Sequence, residues 1–252
     1  MLLACDVGNS SVKIAIYHRE KRIAFGLYPK KDFSCATDIL SLTTKSNLRF
    51  DQFKAAIISS VVPQITEDLK NYIETNLNIK PNIINNKSKL AITIDKEFKE
   101  DIGPDILVMS SHAYSMFNED VLIISLGTAT VFSYVNKNGV LKGCAIAPGF
   151  KSFSLSLSEK STLLPSFTPE YQEKYLATNT IDAMSIGSYN GYIGMINSIK
   201  DNIIKEIGVK PKIVLCGGHS TKVMGYVKSV DYQENDFVIS GLNQIHLKKW
   251  NN

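Results

Sequence analysis

Short apolar runs parted by polar turns open the chain. Leu2 to Val7, Val12 to Tyr17 and Arg22 to Leu27 are separated by GNSS and HREK, which predicts three successive strands joined by tight turns. Thr37 to Thr44 predicts a short helix and Ala55 to Ser59 a buried strand. VVPQITEDLKNYIETNL predicts a helix that begins at Pro63, because the fixed φ of proline suits a first helical turn. The polar stretch Asn82 to Lys87 reads as a connector with a strand at most, and LVMSSHAYSMF after Gly103-Pro104-Asp105 has helical periodicity. Thr180 to Ile207 reads as a long helical stretch with small residues at Gly187, Gly191 and Gly194. Such residues let helices approach closely, which makes this stretch either a dimer surface or an internal core helix.

The opening pattern recurs. DVGNSSVKIAI from Asp6 aligns with SLGTATVFSYV from Ser125, placing Gly8 on Gly127, Asn9 on Thr128, Ser11 on Thr130 and Val12 on Val131. Each copy runs on into a third strand, Arg22 to Leu27 in one and Val140 to Ala147 in the other. AAIISSVVP from Ala55 then resembles KIVLCGGHS from Lys212, each a buried strand, a loop of small residues and a helix. Two similar halves follow, residues 1–118 and 119–252. Each is expected to hold a mixed five-stranded sheet flanked by helices.

Charge and composition remove several function classes. With 28 Lys and Arg against 24 Asp and Glu, scattered along the chain, there is no footprint for nucleic acid. No apolar run reaches the roughly 18 residues that span a bilayer. The N-terminus lacks a basic region and meets a charge at Asp6, so no membrane role and a cytoplasmic location are expected. Cys5, Cys35, Cys144 and Cys216 are far apart and fit small buried thiols rather than a zinc site or a disulfide framework. The four histidines are equally unclustered, and His219, beside a glycine pair, is the one with a chemical context.

A turn of small hydroxylated residues between two strands brings backbone N–H groups and hydroxyls to phosphate oxygens, and a carboxylate at the strand end can hold the accompanying magnesium. Asp6-Val7-Gly8-Asn9-Ser10-Ser11 has that form, and Gly127-Thr128-Ala129-Thr130 is a second such turn without the carboxylate. Two such turns suit a nucleotide, with the Gly217-Gly218 loop approaching its adenosine. Taken alone, DVGNSS is also an ordinary polar hairpin, and Gly103-Pro104-Asp105 a loop entering a helix.

These residues carry a resemblance that spans nearly the whole chain. DVGNSS resembles the D-x-G-N-[ST] opening of type III pantothenate kinases, IGPDIL (Ile102 to Leu107) their G-x-D-R substrate motif, and LGTATVF their D-x-G-T-A-x-T phosphate motif. ISSVVP, GCAIAPGF, LLP (Leu163 to Pro165), ATNTIDAMSIGSYNGYIGMI and LCGGHS follow in the family's order. The resemblance implies two ribonuclease H-like domains of the actin-like ATPase superfamily with ATP between them. It also implies a magnesium-dependent homodimer with a shared active site, transferring the γ-phosphoryl of ATP to pantothenate. Residue by residue, it makes Asp105 the general base and Asp6, Val7, Gly8, Asn9, Ser10, Ser11, Val12 and Lys13 the first ATP-binding segment, with Asp6 holding magnesium. Gly127 and Thr128 match the second phosphate contact, Gly103, Pro104, Asp105 and Ile106 the substrate loop, and Thr180 a pantothenate contact supplied by the neighbouring subunit.

The chain departs from that pattern where the family uses polar groups. Ile106 stands in place of a substrate-binding Arg and cannot make the bidentate bonds by which Arg holds a carboxylate. Lys96, near the place of a substrate-contacting Tyr, is a candidate replacement. Ser125 replaces the Asp that binds a monovalent cation, potassium or ammonium, and a neutral hydroxyl is a weak ligand for one. These losses leave room for a nucleotide-binding regulatory paralogue or a kinase of another small alcohol.

Overall fold

The same strand order is used twice in the computed structural model, which describes residues 1–98, 100–160 and 164–250. Leu163 of the LLP motif lies outside the described residues. The first sheet is built from β1 (Leu2–Val7), β2 (Ser11–His18), β3 (Lys21–Pro29), β4 (Ala55–Ser60) and β5 (Asn82–Ile83), in the order β3-β2-β1-β4-β5. β1 to β3 form an antiparallel meander, and β4 and β5 add in parallel beside β1. Between them run α1 (Cys35–Lys45) and α2 (Pro63–Leu77), and after them β6 (Thr93–Ile94) and α3 (Pro104–Phe117).

The second half contains β7 (Val121–Leu126), β8 (Ala129–Val135), β9 (Val140–Pro148), α4 (Phe150–Lys160), α5 (Thr180–Ser185), a π-helical turn (Ile186–Asn190) and α6 (Gly191–Ile207). It ends with β10 (Lys212–Cys216), α7 (Ser220–Val223), β11 (Tyr232–Glu234) and α8 (Phe237–Trp250). Its sheet, β11-β10-β7-β8-β9-β6, repeats the first order read backwards, with β10 parallel to β7 as β4 is to β1. It carries one strand more than the expected five, because Thr93 and Ile94 of β6 pair with Val140 and Leu141.

Strand alternation decides where each core sits. Leu3, Cys5 and Val7 of β1 turn toward Val12, Ile14, Ile16 and Ile58 and bury against Ile39 of α1 and Leu69 and Ile73 of α2. Leu2, Ala4 and Asp6 point to the other face, where α8 packs across β1, β2 and β4. α3 lies on α8, with the His112 ring 4.4 Å from that of Phe237 and Gly241 close against Val108. In the second half Leu122, Ile124 and Leu126 bury against Phe150, Tyr189, Tyr192 and Ile196.

By compactness one unit comprises Met1–Met116, Gly139–Leu141 and the segment from Asp236 onward, and the other Phe117–Asn138 and Lys142–Asn235. A division of the sequence into 1–118 and 119–252 runs along the chain. In space the last helix returns to cover the open face of the first sheet, burying Phe237, Ile239, Leu242 and Ile245. Among the described residues no helix is long and apolar enough to cross a membrane. Of the four cysteines, none in a disulfide, Cys5 and Cys216 are buried, whereas Cys35 is half-buried and Cys144 exposed, contrary to a reading of all four as core residues.

Candidate active site

In the first unit, the C-terminal end of β1 collects the ionisable groups. Asp6 is the last residue of β1 to face α8, and the ladder sets it opposite Lys13 of β2 on one side and Ser59 of β4 on the other. Burial pushes the Asp6 carboxyl up to about 7; Lys13 pulls it down, while Asp105 and Asp236 push it further up. The structure thus brings two further sequence-predicted residues, Lys13 and Asp105, each within electrostatic reach of Asp6. The place fits the rule that open α/β sheets bind ligands beyond the carboxyl ends of their parallel strands.

Asp105 lies in the first turn of α3. Burial raises its carboxyl above the ordinary carboxylate range, and hydrogen bonds from its own N–H and that of Ile106 partly offset this. A helix N-terminus suits such an anion through its unpaired N–H groups and dipole. Gly103 makes room for it: a Cβ there would stand 2.7 Å from the Asp105 Oδ1. Since that oxygen belongs to a side chain that can rotate, Gly103→Ala is expected to fold normally with its carboxylate swung aside. Steady-state kinetics should show kcat reduced about tenfold by the misplacement, with the ATP KM and the melting temperature unchanged.

Asp236, which the sequence reading missed, immediately precedes α8. Its carboxylate takes Lys13 at 3.2 Å and Arg22 at 3.1 Å, tying the start of α8 to β2 and β3. An isolated Asp before a helix is common as a capping residue, so only the return of α8 could have revealed it.

The remaining predicted residues divide by burial. Val7 and Val12 are core side chains, Asn9 and Ser10 are exposed, and the Gly8 N–H closes its own turn onto the Ser11 carbonyl at 2.9 Å. Lys96 is exposed in the turn after β6, while Ile106, at 9% exposure, is part of the core. Thr180 is exposed at the start of α5, whose cap is the Asn179 side chain accepting the Asp182 N–H at 2.9 Å.

The second turn, in the other unit, is one residue shorter than its counterpart. The ladder closes Val7 on Val12 around four residues but Leu126 on Thr130 around three. The sequence alignment of Ser11 with Thr130 therefore slips by one after the turn. Thr130 takes the core-facing place of Val12, fully buried and bonded to Tyr192 at 2.7 Å and to the Pro148 carbonyl at 3.0 Å. By register, Ser125 pairs with Val131, so both members of the Asp6–Lys13 pair are replaced by neutral residues. Thr128 is exposed at the tip. A Cβ on Gly149 would collide with the carbonyl oxygens of Gly127 and Thr128, so glycine there lets α4 start directly beneath the turn.

His219 also serves this turn. Its imidazole is hydrogen-bonded to the Gly127 backbone, and burial lowers its pKa, with Lys222 and Lys151 lowering it further. Its Nδ1 is buried with no partner. The neighbouring Gly217-Gly218 pair was its only signal in the sequence.

A magnesium ion fits the first unit. Among the described residues no three His, Cys, Asp or Glu side chains gather as a metal cage. Magnesium keeps several waters and uses one or two carboxylates together with substrate phosphates, so a single carboxylate such as Asp6 would suffice to hold it. Asp6, half-buried and pushed up by Asp105 and Asp236, is the group whose charge a cation would relieve.

Comparison with known proteins identifies the family. Residues 2–202 match the family model described as type III pantothenate kinase. The type III pantothenate kinase of Ehrlichia canis is 31% identical, over 100% of this chain and 98% of its own length. That of Geobacter sulfurreducens is 28% identical over 98% of each. Among solved structures, a Campylobacter jejuni protein described as a Baf family transcriptional activator superposes with a TM-score of 0.62 at 19% identity, covering 99% of this chain and 100% of that one. A Sinorhizobium meliloti protein described as a 2-dehydro-3-deoxygalactonokinase gives 0.61 at 12% identity, covering 99% and 97%. At such identities these two likenesses concern the fold alone.

Proposed function

Since the chain belongs to the type III pantothenate kinase family and phosphorylates pantothenate with ATP at the first step of coenzyme A biosynthesis, we propose that Asp105 is the base of this reaction. What supports the assignment is its place at the N-terminus of α3, within electrostatic reach of Asp6. As the primary hydroxyl oxygen of pantothenate forms its bond to the γ-phosphorus, the bond from that phosphorus to the β–γ bridging oxygen breaks and ADP leaves. The hydroxyl proton passes to the Asp105 carboxylate. Phosphoryl transfer asks the protein chiefly for position and charge neutralisation.

Asp6 to Lys13 form the first phosphate segment, and Gly127 and Thr128 the second contact. Asp6 would hold magnesium, directly or through water, and the ion when bound neutralises charge on the phosphates. Lys13, held by Asp236, adds a positive charge beside Asp6. Lys96 replaces the missing Arg as partner of the pantothenate carboxylate, because the aliphatic Ile106 offers no donor.

With Ser125 and Val131 both neutral, the second turn offers little to a monovalent cation. Purified protein given labelled pantothenate and Mg-ATP is therefore expected to form phosphopantothenate at nearly the same rate with and without potassium at constant ionic strength. Absence of product would defeat the base assignment, and a steep potassium requirement would defeat the reading of Ser125.

The homodimer assigned by resemblance is also proposed, with Thr180 reaching the partner's substrate and the pair working in the cytoplasm. Its support is that Gly187, Gly191 and Gly194 are exposed in one helical run, and a Cβ at Gly187 or Gly194 would meet nothing within 4 Å. Sedimentation equilibrium should give twice the chain mass, and Gly194→Phe should shift the protein toward monomer.

A further inference from the structure

The two serines that end β4 have opposite fates. Ser60 is engaged in the turn into α2, where its Oγ accepts the Val62 N–H at 3.2 Å and the Thr66 hydroxyl at 2.7 Å. Ser59 is 1% exposed, and its Oγ has no hydrogen-bond partner. A buried hydroxyl left without a partner is costly, and most such groups in folded proteins are satisfied, so this one calls for a reason.

Register supplies it. In the parallel β1–β4 ladder Ser59 is the partner of Asp6, so the two side chains leave the same face of the sheet on neighbouring strands about 5 Å apart. The other face is closed by Ile58, Cys5 and Val7 in the apolar core with α1 and α2. A carboxylate and a hydroxyl that leave one face of the sheet at that spacing can share a water, which needs polar partners on two sides.

We propose that Ser59 is a positioning residue of this site, its hydroxyl bonding a water in the shell of the magnesium that Asp6 binds. The proposal rests on the reading of Asp6 as the magnesium residue. Groups that orient a metal's ligands and waters, without touching the ion, commonly govern its affinity. Ser59 stands in that relation to Asp6, near the C-terminal end of β4 with its hydroxyl buried from bulk solvent. Ser60, one residue on, is excluded from the role by its own bonds.

The test is Mn2+ binding to the full-length protein at pH 8, read from the EPR signal of free Mn2+, for wild type, Ser59→Ala, Ser60→Ala and Asp6→Asn, with the melting temperature of each metal-free protein. Ser59→Ala is expected to weaken Mn2+ binding about tenfold and to melt at or above the wild-type temperature, since it loses no bond within the protein. Ser60→Ala should lower the melting temperature and leave Mn2+ affinity as it was. Unchanged affinity in Ser59→Ala beside a large loss in Asp6→Asn overturns the role of Ser59 alone. Unchanged affinity in Asp6→Asn overturns the magnesium reading and this proposal with it. A lower melting temperature in metal-free Ser59→Ala would mean that the hydroxyl has a structural partner, and also overturns it.

Discussion

Asp105→Asn is expected to lower the turnover of pantothenate phosphorylation by about 10²- to 10⁴-fold, the usual worth of a positioned general base. The substitution keeps the shape and leaves an oxygen to accept the Ile106 N–H, so the start of α3 should be unaltered. What it loses is the capacity to take a proton. Because burial opposes the charged carboxylate, the variant should fold at least as stably as the wild type at neutral pH. The pH profile separates loss of the base from loss of structure. As the proposed base, Asp105 works only when deprotonated, so kcat/KM should rise with pH through a value above the ordinary carboxylate range, set by burial and partly offset by the hydrogen bonds from its own N–H and that of Ile106. Asp105→Asn should show a low rate without that limb. Retention of more than a tenth of the wild-type turnover would remove Asp105 from the chemistry.

How far the sequence could disclose this site depends on whether partners are close along the chain. The strand–turn–strand segments were legible because alternation and turn residues are local, and β1, β2, β3 and α2 lie where the apolar runs put them. The duplication was legible as well, since both copies keep a glycine turn and a parallel strand after it. The one-residue difference between the turns was not, because a ladder register is fixed by which side chains the two cores accept, as Thr130 beside Tyr192 shows. Asp236 and Ser59 were hidden for a related reason. One becomes part of the site only when α8 folds back over β1, and the other only when parallel pairing sets it beside Asp6. Neither residue type is unusual in its local sequence. The adjacent Ser60 would have served equally well in any pattern read from the chain.

Asp6→Asn should trade activity for stability, and pH sets the size of the trade. In the folded protein the Asp6 carboxyl is pushed up to about 7 by burial, against about 4 for an unfolded chain. Below about pH 4 both states hold the proton and the site costs nothing. As pH rises toward 7 the unfolded chain releases its proton first, so stability is lost progressively across that window and the full cost stands above it. The displacement is worth at most about 4 kcal/mol at pH 8. Asparagine does not titrate, so in metal-free protein Asp6→Asn should melt above the wild type at pH 8, with the gap closing as pH falls to 5. Saturating Mg-ATP should reverse the order, because a ligand that binds the native state stabilises it according to its affinity, and the variant lacks the charge proposed to hold magnesium. Its turnover should fall about 100-fold or more, in line with the loss of a metal-orienting group. Thermal melts of both proteins at the two pH values, with and without Mg-ATP, carry the decision. A metal-free variant that melts below the wild type at pH 8 would mean that the Asp6 charge is stabilised in the folded protein, and would remove the electrostatic reason for magnesium there.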